Sequence, residues 1–184
     1  MLPRSGLLLL LLAFCISFQT AAVAGERWIL IDTAAERLEL HDGDEVVLSF
    51  PRISLGRGGV SDIHMAGDMT TPRGEFRITR VHDSDRYHLF IGLDYPTMEH
   101  VDAAHRQGLI SSEAYGELLD HAIAHGRFPA DSPLGGHIGI HGVGQADPVY
   151  HRRFHWTEGC IALTDAQVDV LADLVDVGTR VVIR

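Results

Sequence analysis

Apolar and polar positions change rhythm twice along the chain. Trp28-Ile29-Leu30-Ile31 is a compact apolar run and Arg37-Leu38-Glu39-Leu40-His41 alternates. Val46-Val47-Leu48-Ser49-Phe50 follows an Asp42-Gly43-Asp44 turn, so the front of the chain reads as strands joined through a hairpin. Pro51 to Thr71 is rich in Gly, Ser and Asp and reads as a loop. Glu75 to Val81 alternates as a strand with one wet face, and Tyr87 to Leu93 is a further strand closed by Asp94-Tyr95-Pro96. Over 97–127 β-branched residues thin out. Ser111-Ser112-Glu113 offers a helix start there, and Ala114, Leu118 and Ala122, with Leu119 and Ile123, make a helical stripe. Strand rhythm returns at Gly136 to Gly142, after a Pro129–Gly136 loop, and again at Cys160 to Leu163. Thr164 and Gln167 form a capping box for a helix carrying Val168, Leu171, Ala172 and Val175 on one face, and Gly178 separates it from a last strand, Thr179 to Ile183. The pattern predicts a mainly β domain with one or two helices inserted at about 97–127 and one helix near the end. It holds no internal repeat, low-complexity tract or linker.

Composition narrows the class. The 184 residues are 46% hydrophobic, which is ordinary for a globular chain. The formal charge is −10 and every one of the 15 basic residues is Arg, a balance that does not suit a phosphate-backbone binder, so no nucleic-acid partner is expected. Met1 to Ala24 has the form of a secretory signal: Arg4 in the n-region, an apolar run from Leu7 to Phe18, and Ala22-Val23-Ala24 before Gly25. That run is too short to cross ~30 Å of hydrocarbon at ~1.5 Å per residue. The expected organisation is a signal peptide over 1–24 and one exported domain over 25–184, without stable membrane insertion after cleavage. Removal of Cys15 leaves Cys160 as the only thiol, either buried and inert or free and reactive.

The candidate chemistry lies between His137 and Cys160. Read as a strand, His137-Ile138-Gly139-Ile140-His141 points both Ile one way, and His137, Gly139 and His141 the other, with Gly139 leaving room for a substrate. Gly159 lets backbone approach closely, so the amides of Gly159 and Cys160 are candidate donors to a developing oxyanion. An imidazole beside a thiol promotes the thiolate and returns a proton to a leaving amine. Spacing alone leaves structural and catalytic readings of the pair both open. A metal is not expected. His137 and His141 would stand about 13 Å apart on a strand at ~3.3 Å per residue, and no H-E-x-x-H motif occurs. His151 and His155 would need a helix where Phe154, Trp156 and Gly159 suggest a loop, while His121 and His125 read as surface. Without a second cysteine, a thioredoxin-like role is excluded as well.

Four blocks carry a resemblance. Gly136-His-Ile-Gly-Ile-His-Gly142, Trp156-Thr-Glu-Gly-Cys-Ile-Ala-Leu163 and Val177-Gly-Thr-Arg-Val-Val-Ile183 resemble the catalytic region of the L,D-transpeptidase family, the YkuD-type domain of bacterial cell-wall enzymes. Upstream, Gly67-Asp68-Met-Thr-Thr71-Pro72-Arg-Gly74-Glu-Phe76-Arg-Ile78 is similar to the family's G-D-x-x-T-P-x-G-x-[FY]-x-I segment. The resemblance implies a YkuD-like β-sandwich of mixed sheets, with the helical insert and one helix after the catalytic Cys, and cysteine acyl transfer without a cofactor. Cys160 matches the nucleophile that attacks the meso-diaminopimelate carbonyl of a peptidoglycan tetrapeptide stem, expelling D-Ala and leaving a thioester. His141 matches its base, Gly142 the residue whose carbonyl orients the imidazole, and Gly159 and Cys160 the oxyanion donors. An acceptor amine would give a 3–3 cross-link, and water would give L,D-carboxypeptidase activity. The chain departs from the family's Ser-His-Gly-Cys-x-Arg pattern at Thr157, Glu158 and Ala162. Arg152 or Arg153 then replaces the missing charge or forms a solvated loop pair, and Thr157 and His137 complete the substrate-binding candidates. NlpC/P60 peptidases place Cys before His, sortases lack the upstream blocks, and a wall-binding module without turnover is the rival from another class. The implied partner is the peptidoglycan stem peptide, in the periplasm or cell envelope.

Overall fold

The computed structural model describes residues 25–184, and the signal peptide expected over 1–24 lies outside them. Strands β1 (Arg27–Asp32), β2 (Arg37–Asp42) and β3 (Glu45–Pro51) open the domain. They are followed by β4 (Val60–Ser61), β5 (Thr71–Pro72), the long β6 (Gly74–Ser84) and β7 (His88–Leu93). Helices α1 (Met98–Arg106) and α2 (Ser112–His125) precede β8 (Gly139–His141), α3 (Pro148–His151), β9 (Ile161–Ala162), α4 (Asp165–Ala172) and β10 (Arg180–Ile183).

Eight strands form one mixed sheet in the order β3-β2-β1-β10-β6-β7-β8-β9, parallel at β1–β10 and β8–β9 and antiparallel elsewhere. Alternation explains the register. Ile29 pairs with Leu40 and Ile31 with Leu38, so all four fall on one fully buried face. Strand β6 belongs to both halves of the sheet. Gly74–Arg77 pair with β10, and the pairing with β7 runs from Ile78 to Ser84 with a register shift between Ile78 and Arg80. One buried cluster takes in side chains from both halves, including Ile31, Phe76, Ile91, Ile140, Ile161 and Val181. The mixed, mainly β architecture that the resemblance implies is therefore present.

Several local expectations change. The Pro51–Thr71 stretch is not plain loop, because β4 and β5 pair in parallel within it. The Asp68 carboxylate braces that segment by accepting the amides of Met65 and Thr70 at 2.7 and 2.8 Å. The insert is two helices. Ser111 caps α2 as its sequence suggests, but of that stripe only Leu118 is buried and Ile123 is 84% exposed. The segment around His151, expected as loop, contains the one-turn α3; its overlooked signal is Asp147-Pro148, an N-cap acceptor followed by Pro in the first turn. In α4 the capping box forms, and Val168 and Leu171 are fully buried.

The catalytic-region strand is shorter than its alternation implies. His137 has φ +59°, a left-handed conformation that breaks the strand, so β8 starts only at Gly139. Gly139 does not leave room for a substrate. A Cβ there would lie 2.6 Å from both the Ile91 carbonyl oxygen and Phe90 Cζ, so the missing side chain serves the close approach of β7. Gly139→Ala should lower stability by about 1–3 kcal/mol, since backbone and ring must both move. Urea unfolding measures this, and an unchanged midpoint would show that the approach can relax.

Candidate active site

Strand β8 ends on His141, and Cys160 immediately precedes β9. Parallel pairing of Ile140 with Ile161 and of His141 with Ala162 sets these two ends side by side. Both side chains line a cleft of about 760 Å³.

The His141 ring is 1% exposed and packs on Tyr87, with centroids 4.2 Å apart, and edge-on to Trp156 at 5.7 Å. Its Nδ1 lies 2.7 Å from the Gly142 carbonyl oxygen. A carbonyl only accepts, so Nδ1 carries the proton and the Nε2 lone pair is left free. Burial pulls the imidazole down to about 4, against the opposing hydrogen bond to Gly142, and the nearby charges of His151 and Arg86 push the same way as burial. Cys160 is a free, half-buried thiol that donates to the His137 carbonyl oxygen at 3.4 Å. Burial pushes it up to about 11, opposed by a hydrogen bond with the Gly139 backbone and reinforced by the Glu158 carboxylate. Both shifts favour a neutral thiol and a neutral imidazole at pH 7.

The other candidates are distributed unevenly. Thr157 is buried, donates to the Cys160 carbonyl at 2.6 Å and accepts the Gly159 amide at 3.3 Å, so it shapes the turn that presents the thiol. Gly159 has φ +126°, and a Cβ on it would lie 2.7 Å from the Thr70 carbonyl oxygen, which requires Gly there. His137 lines the cleft and presents its carbonyl to the thiol. Arg152 and Arg153 are not brought to the cleft. They line a separate hollow with Glu36, Arg52 and Phe154. His151 and His155 act as props: His151 accepts the Trp156 indole N–H at 3.3 Å, and His155 Nδ1 accepts the Leu55 amide at 3.1 Å.

Residues not singled out by sequence also line the cleft, namely Arg57, His64, Arg80, His82, Arg86 and Tyr87. His64 is 4% exposed, with Nδ1 2.8 Å from the Thr70 carbonyl oxygen and 3.0 Å from Asp68 Oδ1. Its Cε1 lies 3.3 Å from where a Gly159 Cβ would stand, which links the Gly67-Asp68 block to the turn before Cys160. The signal for Arg80 and His82 was their alternation with Val81 and Asp83 along β6, whereas Arg57 and Arg86 sit in turns that strand rhythm does not place. Among the described residues, no three His, Cys, Asp or Glu side chains gather into a metal-holding group.

These features define a mainly β catalytic-domain architecture with a thiol and an imidazole in one cleft. The family model of the L,D-transpeptidase catalytic domain, YkuD, matches residues 26–183, and the chain belongs to that family. No curated protein matches the chain. Among solved structures it is similar to Pgp2, a helical cell shape determining protein of Campylobacter jejuni, with 22% identity and a TM-score of 0.56 over 86% of this chain and 47% of that one. Bd1075 of Bdellovibrio bacteriovorus gives 16% identity and 0.55 over 88% and 48%. An L,D-transpeptidase fragment of Xylanimonas cellulosilytica gives 16% identity and 0.51 over 89% and 62%. At these identities the likeness is one of fold, and the chain spans about half the length of the first two.

The depressed His141 predicts an acid-sensitive fold. The unfolded chain protonates this imidazole near 6.5 and the folded chain only near 4, so stability should fall as pH drops through that window, by on the order of 2–3 kcal/mol. Urea midpoints at pH 7, 5 and 4 test this. His141→Gln should lack that portion of the loss, and an identical acid profile in the variant would refute the assignment.

Proposed function

We propose that this domain is a peptidoglycan L,D-transpeptidase that works through a thioester on Cys160. The supporting observation is the β8–β9 pairing, which sets a tautomer-fixed, neutral His141 in the same cleft as the thiol. Cys160 Sγ attacks the diaminopimelate carbonyl of a tetrapeptide stem while its proton passes to His141 Nε2. The amides of Gly159 and Cys160 donate to the oxyanion, that of Gly159 exchanging its 3.3 Å bond to Thr157 for it. His141 then protonates the departing D-Ala amine and leaves the thioester. An acceptor amine attacks that thioester, gives its proton to His141, and Cys160 recovers the proton as the new amide forms. No cofactor enters these steps.

Placement in the periplasm or envelope follows from the leader expected over 1–24. Among the described residues, no helix is long and apolar enough to cross a membrane. Water in place of the amine gives L,D-carboxypeptidase activity at the same thioester.

Incubation of the mature enzyme with a disaccharide-tetrapeptide, followed by intact-protein mass spectrometry, should show a thioester adduct on Cys160 together with a cross-linked dimer. An adduct with only tripeptide product would move the assignment to the carboxypeptidase, and neither adduct nor product would favour a binding module. Cys160→Ala should abolish both signals while changing stability by only about 1 kcal/mol. His141→Gln should reduce turnover by roughly 10²–10⁴-fold, the range for a general acid–base group.

A further inference from the structure

Alternation along β6 puts Arg80 and His82 on the Cys160 cleft, and Arg86 joins them from the turn that follows the strand. Asp83 and Asp85 line a separate hollow with His88 and Asp165, and Ser84 borders both. The chain is net negative, yet three arginines meet a single carboxylate, Glu158, in this cleft. That local reversal draws an anionic ligand to the thiol.

Two of the three guanidinium groups lie against aromatic rings and, among the described residues, carry no ion pair. Arg37, Arg57, Arg73 and Arg180 face carboxylates, whereas among the described residues no acceptor meets Arg80 or Arg86. Arg80 lies across Gly92, its cross-strand partner, with Cγ, Nε and Cζ only 3.0–3.3 Å from where a Cβ would be. Its Cζ stands 5.5 Å from the centroid of the Phe90 ring, and that of Arg86 stands 5.0 Å from the Tyr87 centroid. A guanidinium beside an aromatic ring keeps its N–H edge free for bidentate contact with a carboxylate. Tyr87 and Phe90 are two of the rings that pack on His141, at 4.2 and 6.1 Å.

This places the two arginines on the imidazole side of the thiol. In the proposed reaction His141 protonates the amine that leaves and deprotonates the amine that enters, so both amines approach from that side. The departing D-alanine carries an α-carboxylate beside its amine, and so does the free amino-acid centre of a diaminopimelate acceptor. We propose that Arg80 and Arg86 form one carboxylate clamp that reads the α-carboxylate of the leaving amino acid and then of the incoming one. The inference rests on the stem-peptide reading of the cleft. It makes the enzyme selective for a terminal residue with a free carboxyl group.

Two measurements test the clamp. The first compares tetrapeptide stems ending in D-alanine and in D-alaninamide. The wild type should favour the free acid by about tenfold or more in kcat/KM, and Arg80→Gln and Arg86→Gln should each shrink that ratio, chiefly through KM for the acid. The second needs no substrate. The rate of Cys160 alkylation by iodoacetate relative to iodoacetamide should fall by about threefold or more in each variant, with circular dichroism confirming the fold. Ratios equal to wild type in both measurements would overturn the proposal. A lower alkylation ratio in an enzyme that acylates with neither stem would keep the anion site and overturn the stem-peptide assignment instead.

Discussion

Two residue pairs, Ile140 with Ile161 and His141 with Ala162, make up the ladder that joins the imidazole strand to the thiol strand. So short a pairing cannot hold itself, and the surrounding structure braces it. Ala162 exchanges backbone hydrogen bonds with Ser54 at 2.8 and 3.0 Å, and the amide of Leu163 reaches the His141 carbonyl at 2.8 Å. Helix α4 packs against β7 and β8 through buried Val168 and Leu171. The glycines are tolerances of the same arrangement: Gly139 admits β7, and Gly142 admits the Asp165 carboxylate, which would lie 2.5 Å from a Cβ. The active-site geometry is thus fixed by main chain meeting main chain at close range.

Burial then sets the chemistry. Burial disfavours the charged form of both His141 and Cys160, holding the imidazole low and the thiol high. A neutral pair carries no standing charge separation in a low-dielectric pocket. In the proposed reaction charge develops only as the thiol attacks, where the backbone donors and the proposed cationic rim of the cleft would act on it.

Much of the fold was legible because its rules are local. A compact apolar run marked β1, alternation marked β2 and β6, and the Asp42-Gly43-Asp44 turn marked β3, while the Thr164–Gln167 capping box marked α4 and Ser111 the start of α2. Failures came where a distant contact overrode the pattern. The rhythm from His137 to His141 suggested a strand with two outward imidazoles, but a left-handed residue at His137 ends the alternation. Gly139 looked like space because its occupants, Phe90 and Ile91, are remote in sequence. Arg152 and Arg153 were near Cys160 along the chain and are in another hollow, whereas Arg80 and Arg86 reach the cleft only through the β6–β7 pairing. His141 and Cys160 were singled out by type and context, and their shared cleft depends on a parallel ladder that spacing does not encode.

The group that orients His141 is the carbonyl of the next residue. In many hydrolytic sites that role belongs to an acidic side chain, which a point mutation can delete and a change of pH can neutralise. A main-chain oxygen offers neither opening, because every amino acid supplies one and none of them ionises it. Genetic drift at this centre therefore has two side chains to act on instead of three, and the imidazole tautomer is inherited with the backbone.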